Sequence, residues 1–299
     1  MRSLRELQPD QINKPAWLKI RPQYGPVYNE VKNLITEMNL HTVCQEANCP
    51  NISECFSART ATFMILGDTC TRTCRFCDVN KGRPKWQDKL EPHRVAQACA
   101  RLDLRFAVIT SVARDDLEDG GAEIFAETTR QIKKQVPTCR VELLIPDLQG
   151  NWEALHKILD AGPDVLGHNL ETVPRLYQRV RPEATYERSL EVLRQSSEYN
   201  SQVVVKSGIM VGLGETDEEV FRLVADARDY KCQMMTIGQY LRPSYWHLPV
   251  VEYRPPEWFA MIKEKGMALG LSYIESGPLV RSSYLAHKQL AAFRHHRTN

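Results

Sequence analysis

Short apolar runs alternate with longer amphipathic stretches along most of the 299-residue chain. The runs are partly β-branched and almost continuously apolar, which is typical of parallel strands buried on both faces. Six runs predict strands, at 60–67, 105–112, 140–146, 164–170, 202–212 and 234–241. The stretches between and after them predict helices at 92–102, 121–136, 152–161, 187–197, 218–230 and 256–269. Thr216 and Glu219 have the spacing of a capping box at the start of the fifth helix.

Strands that alternate with helices predict βαβ units with right-handed crossovers, and therefore an α/β fold. Six such units fit either a doubly wound sheet or a barrel. Because no G-x-G-x-x-G fingerprint follows the first strand, we favour a partial (β/α)6 TIM-like barrel. We expect three parts: an N-terminal extension (1–58), the barrel (59–245) and a C-terminal segment (246–299). The extension is expected to be irregular, and the tail 291–299 to be a solvated basic end.

Composition and charge exclude several classes of protein. A chain with 42% hydrophobic and 25% charged residues is globular rather than disordered. Lys and Arg number 39 against 37 Asp and Glu, a balance that does not indicate nucleic-acid binding. No apolar run approaches the roughly 20 residues of a membrane span, and the first residues lack the apolar core of a signal peptide. We therefore expect a cytoplasmic protein that binds neither nucleic acid nor membrane. The charged run 114–116 is predicted to be a solvated face.

The cysteines are clustered. Nine is an odd number, so they cannot all pair in disulfides. Six of them lie within 34 residues, namely Cys44, Cys49, Cys55, Cys70, Cys74 and Cys77. Clustered cysteines in a chain of this length favour metal or redox chemistry over a disulfide framework. The other three, Cys99, Cys139 and Cys232, fall in helical or strand-edge segments and are interpreted as structural.

Cys70, Cys74 and Cys77 follow the first predicted strand. The carboxyl ends of parallel strands are where such folds place their chemistry. Three thiolates on one short loop can hold three irons of a 4Fe–4S cluster, which leaves the fourth iron open to a small molecule. A zinc knuckle is the alternative, but structural zinc sites usually have four ligands in two separated pairs, so this spacing fits zinc poorly.

Cys44, Cys49 and Cys55 form a second trio, in a segment rich in Pro and Asn that has no hydrophobic periodicity. They could be buried structural cysteines or part of a zinc site. A second cluster would instead supply the order that this extension otherwise lacks.

Together the two trios resemble the lipoyl synthases of the radical S-adenosylmethionine superfamily. C-x3-C-x-aromatic-C, with Phe76 in the aromatic place, resembles the superfamily signature, and C-x4-C-x5-C upstream of it is typical of lipoyl synthases. Further matching segments are KPAWL from Lys14, ARDDL from Ala113, GHNLETV from Gly167 and RSSY from Arg281.

The resemblance implies two 4Fe–4S clusters and S-adenosylmethionine as cofactors. The open iron of the first cluster would chelate S-adenosylmethionine, whose cleavage yields a 5′-deoxyadenosyl radical. The upstream trio would hold an auxiliary cluster, with Ser283 as its fourth ligand. From the residues alone, Ser282 and Ser283 would be assigned to turn or cap chemistry. A hard alkoxide is a poorer partner for iron than thiolate, so a serine ligand could leave and open the cluster.

The family's reaction inserts two sulfur atoms, at C6 and C8 of an octanoyl chain that is amide-linked to a lysine of a lipoyl carrier domain. The auxiliary cluster is the expected sulfur donor. The expected partners are the glycine-cleavage H protein, 2-oxoacid dehydrogenase E2 subunits and an electron donor such as ferredoxin or flavodoxin. Two alternatives are another radical sulfur-inserting or methylthio-transferring enzyme, which would lack the upstream trio, and a zinc-stabilised binding protein.

Weaker signals concern the cofactor. Gly120 could meet its amino group, or could simply turn the loop into the next helix. Gly212, in the segment 208–215, could contact the adenine side through its backbone. Asn169 and Glu171 share one side of an extended strand end and could hold ribose hydroxyls. Arg181 could reach the cofactor carboxylate.

Overall fold

The computed structural model describes residues 13–22, 24–84 and 87–298. Within this part, the strands are β1 (His41–Thr42), β2 (Thr62–Ile65), β3 (Thr69–Cys70), β4 (Asn80–Lys81), β5 (Phe106–Ser111), β6 (Arg140–Leu144), β7 (Val165–Gly167), β8 (Val204–Val211), β9 (Met234–Gln239) and β10 (Tyr273–Gly277). β3 and β4 form a small ribbon of their own, and the other eight strands form one sheet.

The helices of the described residues are α1 (Pro26–Glu37), α2 (Val43–Glu46), α3 (Ile52–Ser57), α4 (Glu91–Arg101), α5 (Ala122–Gln135), α6 (Trp152–Asp160), α7 (Tyr177–Val180), α8 (Tyr186–Tyr199), α9 (Asp217–Asp229), α10 (Pro256–Ala268) and α11 (Ala286–Thr298). None of them combines the length and the apolar content needed to cross a bilayer. The six predicted helices correspond to α4, α5, α6, α8, α9 and α10, with ends within two residues of those expected. The capping box at the start of α9 is confirmed.

The large sheet has the strand order β1-β2-β5-β6-β7-β8-β9-β10. β1 is antiparallel to β2, and every later neighbour is parallel. This arrangement confirms the predicted α/β fold, and the six predicted strands are β2 and β5 to β9. The carboxyl ends of the parallel strands lie together, so the loops that follow them are brought to one mouth of the sheet.

A seventh parallel strand, β10, was not predicted. It pairs with β9 along its whole length, from Tyr273 to Gly277. Glu275 and Ser276 interrupt its apolar pattern, and only its first two residues are buried. The C-terminal segment therefore contributes to the sheet of the barrel.

The N-terminal extension is more regular than expected. α1 begins at Pro26, in the first helical position that proline favours, and buries Val31, Leu34 and Ile35. α2 and α3 are four and six residues long, too short for a hydrophobic period to be visible in the sequence. The expectation of an irregular segment is wrong for its described part, and residues 1–12 lie outside the described residues.

The expected solvated tail, 291–299, is confirmed at 294–296, which are exposed, but is wrong for Phe293, which is buried. The tail continues α11, whose Leu290 is buried as well. Leu290 and Phe293 pack against residues near the amino ends of β7 to β10, namely Val165, Val204, Met234 and Tyr273. α11 therefore covers the end of the barrel opposite to the mouth. Two apolar side chains among basic ones were too weak a pattern to predict this helix.

Candidate functional site

The cofactor trio, Cys70, Cys74 and Cys77, lies on the loop after β2. Cys70 Sγ accepts hydrogen bonds from the backbone N–H groups of Ala113 and Arg72, at 3.3 and 3.5 Å. Burial raises the pKa of Cys74 to about 12 and that of Cys77 to about 11, and the negative charge of a neighbouring thiolate adds to both shifts. The three thiols are half-buried and lie close together, and a bound metal would have to displace their protons.

An ionic network braces this loop. Arg72, only 4% exposed, makes a bidentate pair with Asp115 at 2.7 and 2.8 Å and contacts Asp147 at 2.5 Å. Arg188 also donates to Asp147, at 2.8 Å. Burial raises the pKa of the Asp147 carboxyl, but the hydrogen bond and charge of Arg72 outweigh it, so this pKa lies well below its usual range. The loop is thereby fixed to the carboxyl ends of two neighbouring strands.

One residue of the charged run 114–116, Asp115, belongs to this network. Arg114 is 3% exposed and pairs with Asp116 at 2.8 Å. Asp115 pairs with Arg72. The prediction of a solvated face is wrong for Arg114, whose buried charge Asp116 compensates, whereas Asp115 is half-buried and Asp116 is exposed.

Three predicted cofactor residues, which follow β7 and α7, meet beside the cofactor trio. Asn169 Nδ2 donates to Glu171 Oε1 at 3.1 Å, so these two side chains do share one side, as expected. Arg181 Nη1 donates to the Asn169 carbonyl oxygen at 2.6 Å. The positive charge of Arg181 lowers the pKa of Cys74, although burial raises it more. Cys74, Asn169, Glu171 and Arg181 therefore form one cluster.

This cluster fits an anionic cofactor group. Arg181 is 7% exposed, and its Nε has no hydrogen-bond partner among the described residues. A buried guanidinium N–H without a partner is costly, and a carboxylate next to it would remove that cost. The unpaired Nε of Arg181 therefore fits a carboxylate of a bound cofactor.

Among the described residues, no contact is found between either Gly120 or Gly212 and the cysteines. Gly212 has φ +101°, donates its N–H to Glu215 at 2.5 Å and accepts the N–H of Val251 at 2.8 Å. Gly120 has φ +60°, and a Cβ there would lie 3.0 Å from Leu148. Both positions need glycine for backbone and packing reasons, and their cofactor contacts remain predictions.

The second trio brings Cys44, Cys49 and Cys55 together across two short helices. The Cys49 N–H donates to the Cys44 carbonyl oxygen at 3.0 Å. Burial raises the pKa of Cys44 to about 11 and that of Cys55 to about 12, and neighbouring cysteines contribute to both shifts. All nine cysteines are free thiols. In the described part of the chain, no three His, Cys, Asp or Glu converge as ligands of a single ion would. The thiolates of a four-iron cluster bind different irons and lie further apart.

The RSSY segment reaches this second trio from the other end of the chain. Asn51 Nδ2 donates to the Leu279 carbonyl oxygen at 2.8 Å. Tyr284 OH donates to Glu54 at 3.0 Å, and the charge of Arg281 lowers the pKa of Cys49 although burial raises it more. Both residues that flank the serines therefore lie against the cysteine segment.

The two serines have different surroundings. Ser282 Oγ accepts a hydrogen bond from Asn169 Nδ2 at 2.8 Å. No hydrogen bond to the Ser283 hydroxyl is found among the residues that the structure describes. The Ser283 carbonyl oxygen accepts the N–H of Ala286 at 3.4 Å, and its hydroxyl as a cluster ligand stays a prediction.

The two cysteine segments face each other directly. Asn48, which precedes Cys49, donates to Asp78, which follows Cys77, at 2.5 Å. His247, from the loop after β9, donates through Nε2 to the Cys77 carbonyl oxygen at 2.9 Å. Our sequence analysis missed Asp78 and His247, because neither belongs to a recognisable spacing.

Family models match two parts of the chain. Residues 64–227 match the radical SAM superfamily, and residues 2–49 match the N-terminal domain of lipoyl synthase. The lipoyl synthase of Rubrobacter xylanophilus is 55% identical over 92% of this chain and 86% of its own length. That of Chloroflexus aggregans is 54% identical over 94% and 92%, and that of Caldanaerobacter subterraneus 54% identical over 95% and 99%.

Solved structures share the fold at low identity. Methylornithine synthase superposes with a TM-score of 0.52 at 14% identity, over 82% of this chain and 80% of the other. Streptococcus suis SuiB bound to S-adenosylmethionine gives 0.55 at 8% identity, over 80% and 51%. With the two facing cysteine trios and relatives above 50% identity over nearly the whole chain, the chain belongs to the lipoyl synthase family of the radical S-adenosylmethionine superfamily.

Proposed function

We propose that this radical S-adenosylmethionine enzyme inserts two sulfur atoms, at C6 and C8, into an octanoyl chain that is amide-linked to a lysine of a lipoyl carrier domain. The observation that carries this proposal is the juxtaposition of the two trios, whose segments are joined by the 2.5 Å contact between Asn48 and Asp78. An acyl chain bound between the trios would have hydrogen abstraction on one side and a sulfur source on the other.

Cys70, Cys74 and Cys77 hold the first 4Fe–4S cluster. Together with S-adenosylmethionine, that cluster would supply the radical chemistry for hydrogen abstraction at an unactivated carbon. Arg181 binds the cofactor carboxylate, Asn169 and Glu171 bind the ribose, and the backbone at Gly120 and Gly212 completes the cofactor site.

The protein's own residues hold this site in place. The network of Arg72, Asp115 and Asp147 holds the loop that bears Cys70 at a fixed position over the barrel. Arg181 is buried beside the half-buried thiols, and limited access of water there would restrict side reactions of a reactive intermediate.

Cys44, Cys49, Cys55 and Ser283 hold the auxiliary cluster, whose sulfur is consumed as a substrate. The oxygen of Ser283 is the weakest of the four ligands, because a hard alkoxide suits iron less well than thiolate does. Ser283 would therefore be the ligand that is displaced most easily, and the three thiolates would be the more lasting attachments.

The proposed partners follow from this reaction. The enzyme acts on octanoylated carriers such as the glycine-cleavage H protein and 2-oxoacid dehydrogenase E2 subunits, and it receives electrons from a ferredoxin or flavodoxin in the cytoplasm. The extension (1–58), the barrel (59–245) and the C-terminal segment (246–299) then supply, respectively, the auxiliary thiolates, the cofactor site and the serine.

The test is anaerobic reconstitution of Cys44→Ala and Cys70→Ala, with Cys139→Ala, a buried free thiol outside both trios, as the matched control. We expect each trio variant to lose one of two clusters by iron and sulfide analysis and the control to keep both. Formation of 5′-deoxyadenosine should require Cys70 but not Cys44. A colourless protein that contains zinc and no iron would contradict the proposal.

A further inference from the structure

Lys206 is a buried cation that belongs to neither trio. It lies in β8 at 2% exposure, and its Nζ donates to Glu142 Oε1 of β6 at 2.7 Å. It also donates to the carbonyl oxygen of Ser282 at 2.6 Å. A buried ammonium group is tolerated only when such partners replace its hydration. The ion pair thus ties the RSSY segment to two strands of the barrel.

Ser282 has a second attachment, through its side chain. Asn169 Nδ2 donates to Ser282 Oγ at 2.8 Å, and Ser282 Oγ in turn lies 3.1 Å from Asn169 Oδ1. A Cβ at Gly208 would lie 3.1 Å from Ser282 Oγ and 2.8 Å from Asn169 Oδ1, so the absence of a side chain at this position makes room for the contact.

These contacts restrain the backbone of the next residue. The carbonyl carbon of Ser282 is bonded to the nitrogen of Ser283, so fixing the Ser282 carbonyl limits where the Ser283 hydroxyl can lie. We infer that the Lys206–Glu142 pair and Ser282 form a positioning anchor, which keeps Ser283 within reach of Cys44, Cys49 and Cys55. The inference rests on the proposed function.

An anchor of this kind suits a ligand that must be able to leave. A serine on an unrestrained segment would lose its place once its bond to iron broke, whereas an anchored one stays preorganised at the site. Because Asn169 also contacts Glu171, the same anchor connects the auxiliary site to the cofactor side of the barrel.

The experiment uses the full chain with Cys70, Cys74 and Cys77 replaced by alanine, so that only the auxiliary site can hold a cluster. Lys206→Met/Glu142→Gln removes both charges together and leaves no buried charge unpaired. Ser282→Ala removes the second attachment. Tyr186→Phe, which loses a 2.9 Å hydrogen bond to Asp226 in the helical layer, is the matched control.

The readout is the rate at which a chelator removes iron from the reconstituted protein, together with the Mössbauer spectrum of the site that Ser283 occupies. We expect the double variant to lose iron about tenfold faster, the size of effect expected for one lost charge-assisted hydrogen bond. Ser282→Ala should show a smaller acceleration and Tyr186→Phe none. The unfolding midpoints of the cluster-free chains should stay close together, because replacing a buried pair as a whole is often neutral.

A double-mutant cycle separates positioning from mere stability. In a Ser283→Ala background the anchor has no ligand to position, so the Lys206→Met/Glu142→Gln change should give no further acceleration. Equal acceleration with and without Ser283, or none with it, would overturn the inference. A parent chain that takes up no cluster at all would instead overturn the proposed function, and the inference with it.

Discussion

The two cysteine trios are built in different ways. The cofactor trio occupies eight residues of one loop, and Arg72 and Asp147 brace it at 4% and 0% exposure. The auxiliary trio lies on two short helices, and its proposed fourth ligand comes from the far end of the chain, fastened by contacts such as that from Asn51 to Leu279. The first site is a local unit. The second is assembled from separated segments, as suits the proposed removal of sulfur from it.

The largest difference between the two sites should be seen when each loses one thiolate. Cys70→Ser should abolish 5′-deoxyadenosine formation, because the cofactor would then have no cluster to receive an electron from. Cys44→Ser should retain 5′-deoxyadenosine formation but give no sulfur-containing product. Chromatographic assay of both products checks this, and a Cys44 variant that still inserts sulfur would break the comparison.

Ser283→Cys should sharpen the comparison at the auxiliary site. A fourth thiolate would bind iron more firmly than the alkoxide does, so the cluster should be retained while sulfur insertion falls severely. Iron analysis and quantification of the lipoyl product measure the two effects. A Ser283→Cys variant that completes both insertions would show that departure of the serine is not required.

The rigidity of the cofactor loop should depend on Arg72. Arg72→Met leaves the buried Asp147 carboxylate with less compensation, so the free energy of unfolding should fall by about 3–5 kcal/mol. Arg130→Met, which removes an exposed pair with Glu123 and Glu127, should cost less than about 1 kcal/mol. Chemical denaturation of the cluster-free chains compares them, and equal losses would argue against a specific brace.

The ion pair between Arg72 and Asp147 also makes the stability of the folded chain depend on pH. The Asp147 pKa is depressed in the folded chain, so its contribution to stability is complete above the unfolded pKa of about 4 and is lost as the pH falls toward the folded pKa. The stability advantage of the parent over Asp147→Asn should therefore be constant near neutral pH and shrink below about pH 4. An advantage that grows on acidification would contradict this assignment.

The smallest effect is expected at Tyr284. Its hydroxyl contacts the carboxylate of Glu54 at 3.0 and 3.1 Å on the exposed side of the RSSY segment. Tyr284→Phe should lower stability by about 1 kcal/mol or less and leave the iron content unchanged, because the buried anchor at Lys206 remains. A large loss of iron in this variant would show that Tyr284, rather than Lys206, anchors the RSSY segment.

The local pattern of apolar residues was enough to predict most of the barrel, because a short, continuous apolar run is compatible with few structures other than a buried strand. β10 was missed because Glu275 interrupts it, and α11 because Leu290 and Phe293 stand among basic residues. Lys206 and Glu142 each interrupt an apolar strand, and that interruption was a readable signal of a buried ion pair. The contact of this pair with Ser282 could not be predicted, because it depends on the three-dimensional packing.

The residues of the candidate site also fall into two groups: those that local spacing predicts and those that only the fold brings together. The cysteine spacings are local and identified both trios. Ser283 was available only through family resemblance, since two adjacent serines have no distinguishing pattern. Asp78 and His247 could not be found from the sequence, because their importance comes from contacts with Asn48 and Cys77 that the fold creates.

The most direct test of the central claim is to follow sulfur from the auxiliary site into product. The chain is reconstituted with isotopically heavy sulfide, freed of excess sulfide and allowed a single turnover on an octanoylated carrier in unlabelled buffer. Mass spectrometry of the product should then find heavy sulfur at both positions in the parent and no sulfur-containing product with Cys44→Ala. Product that contains only light sulfur would contradict the claim that the auxiliary trio holds the sulfur donor.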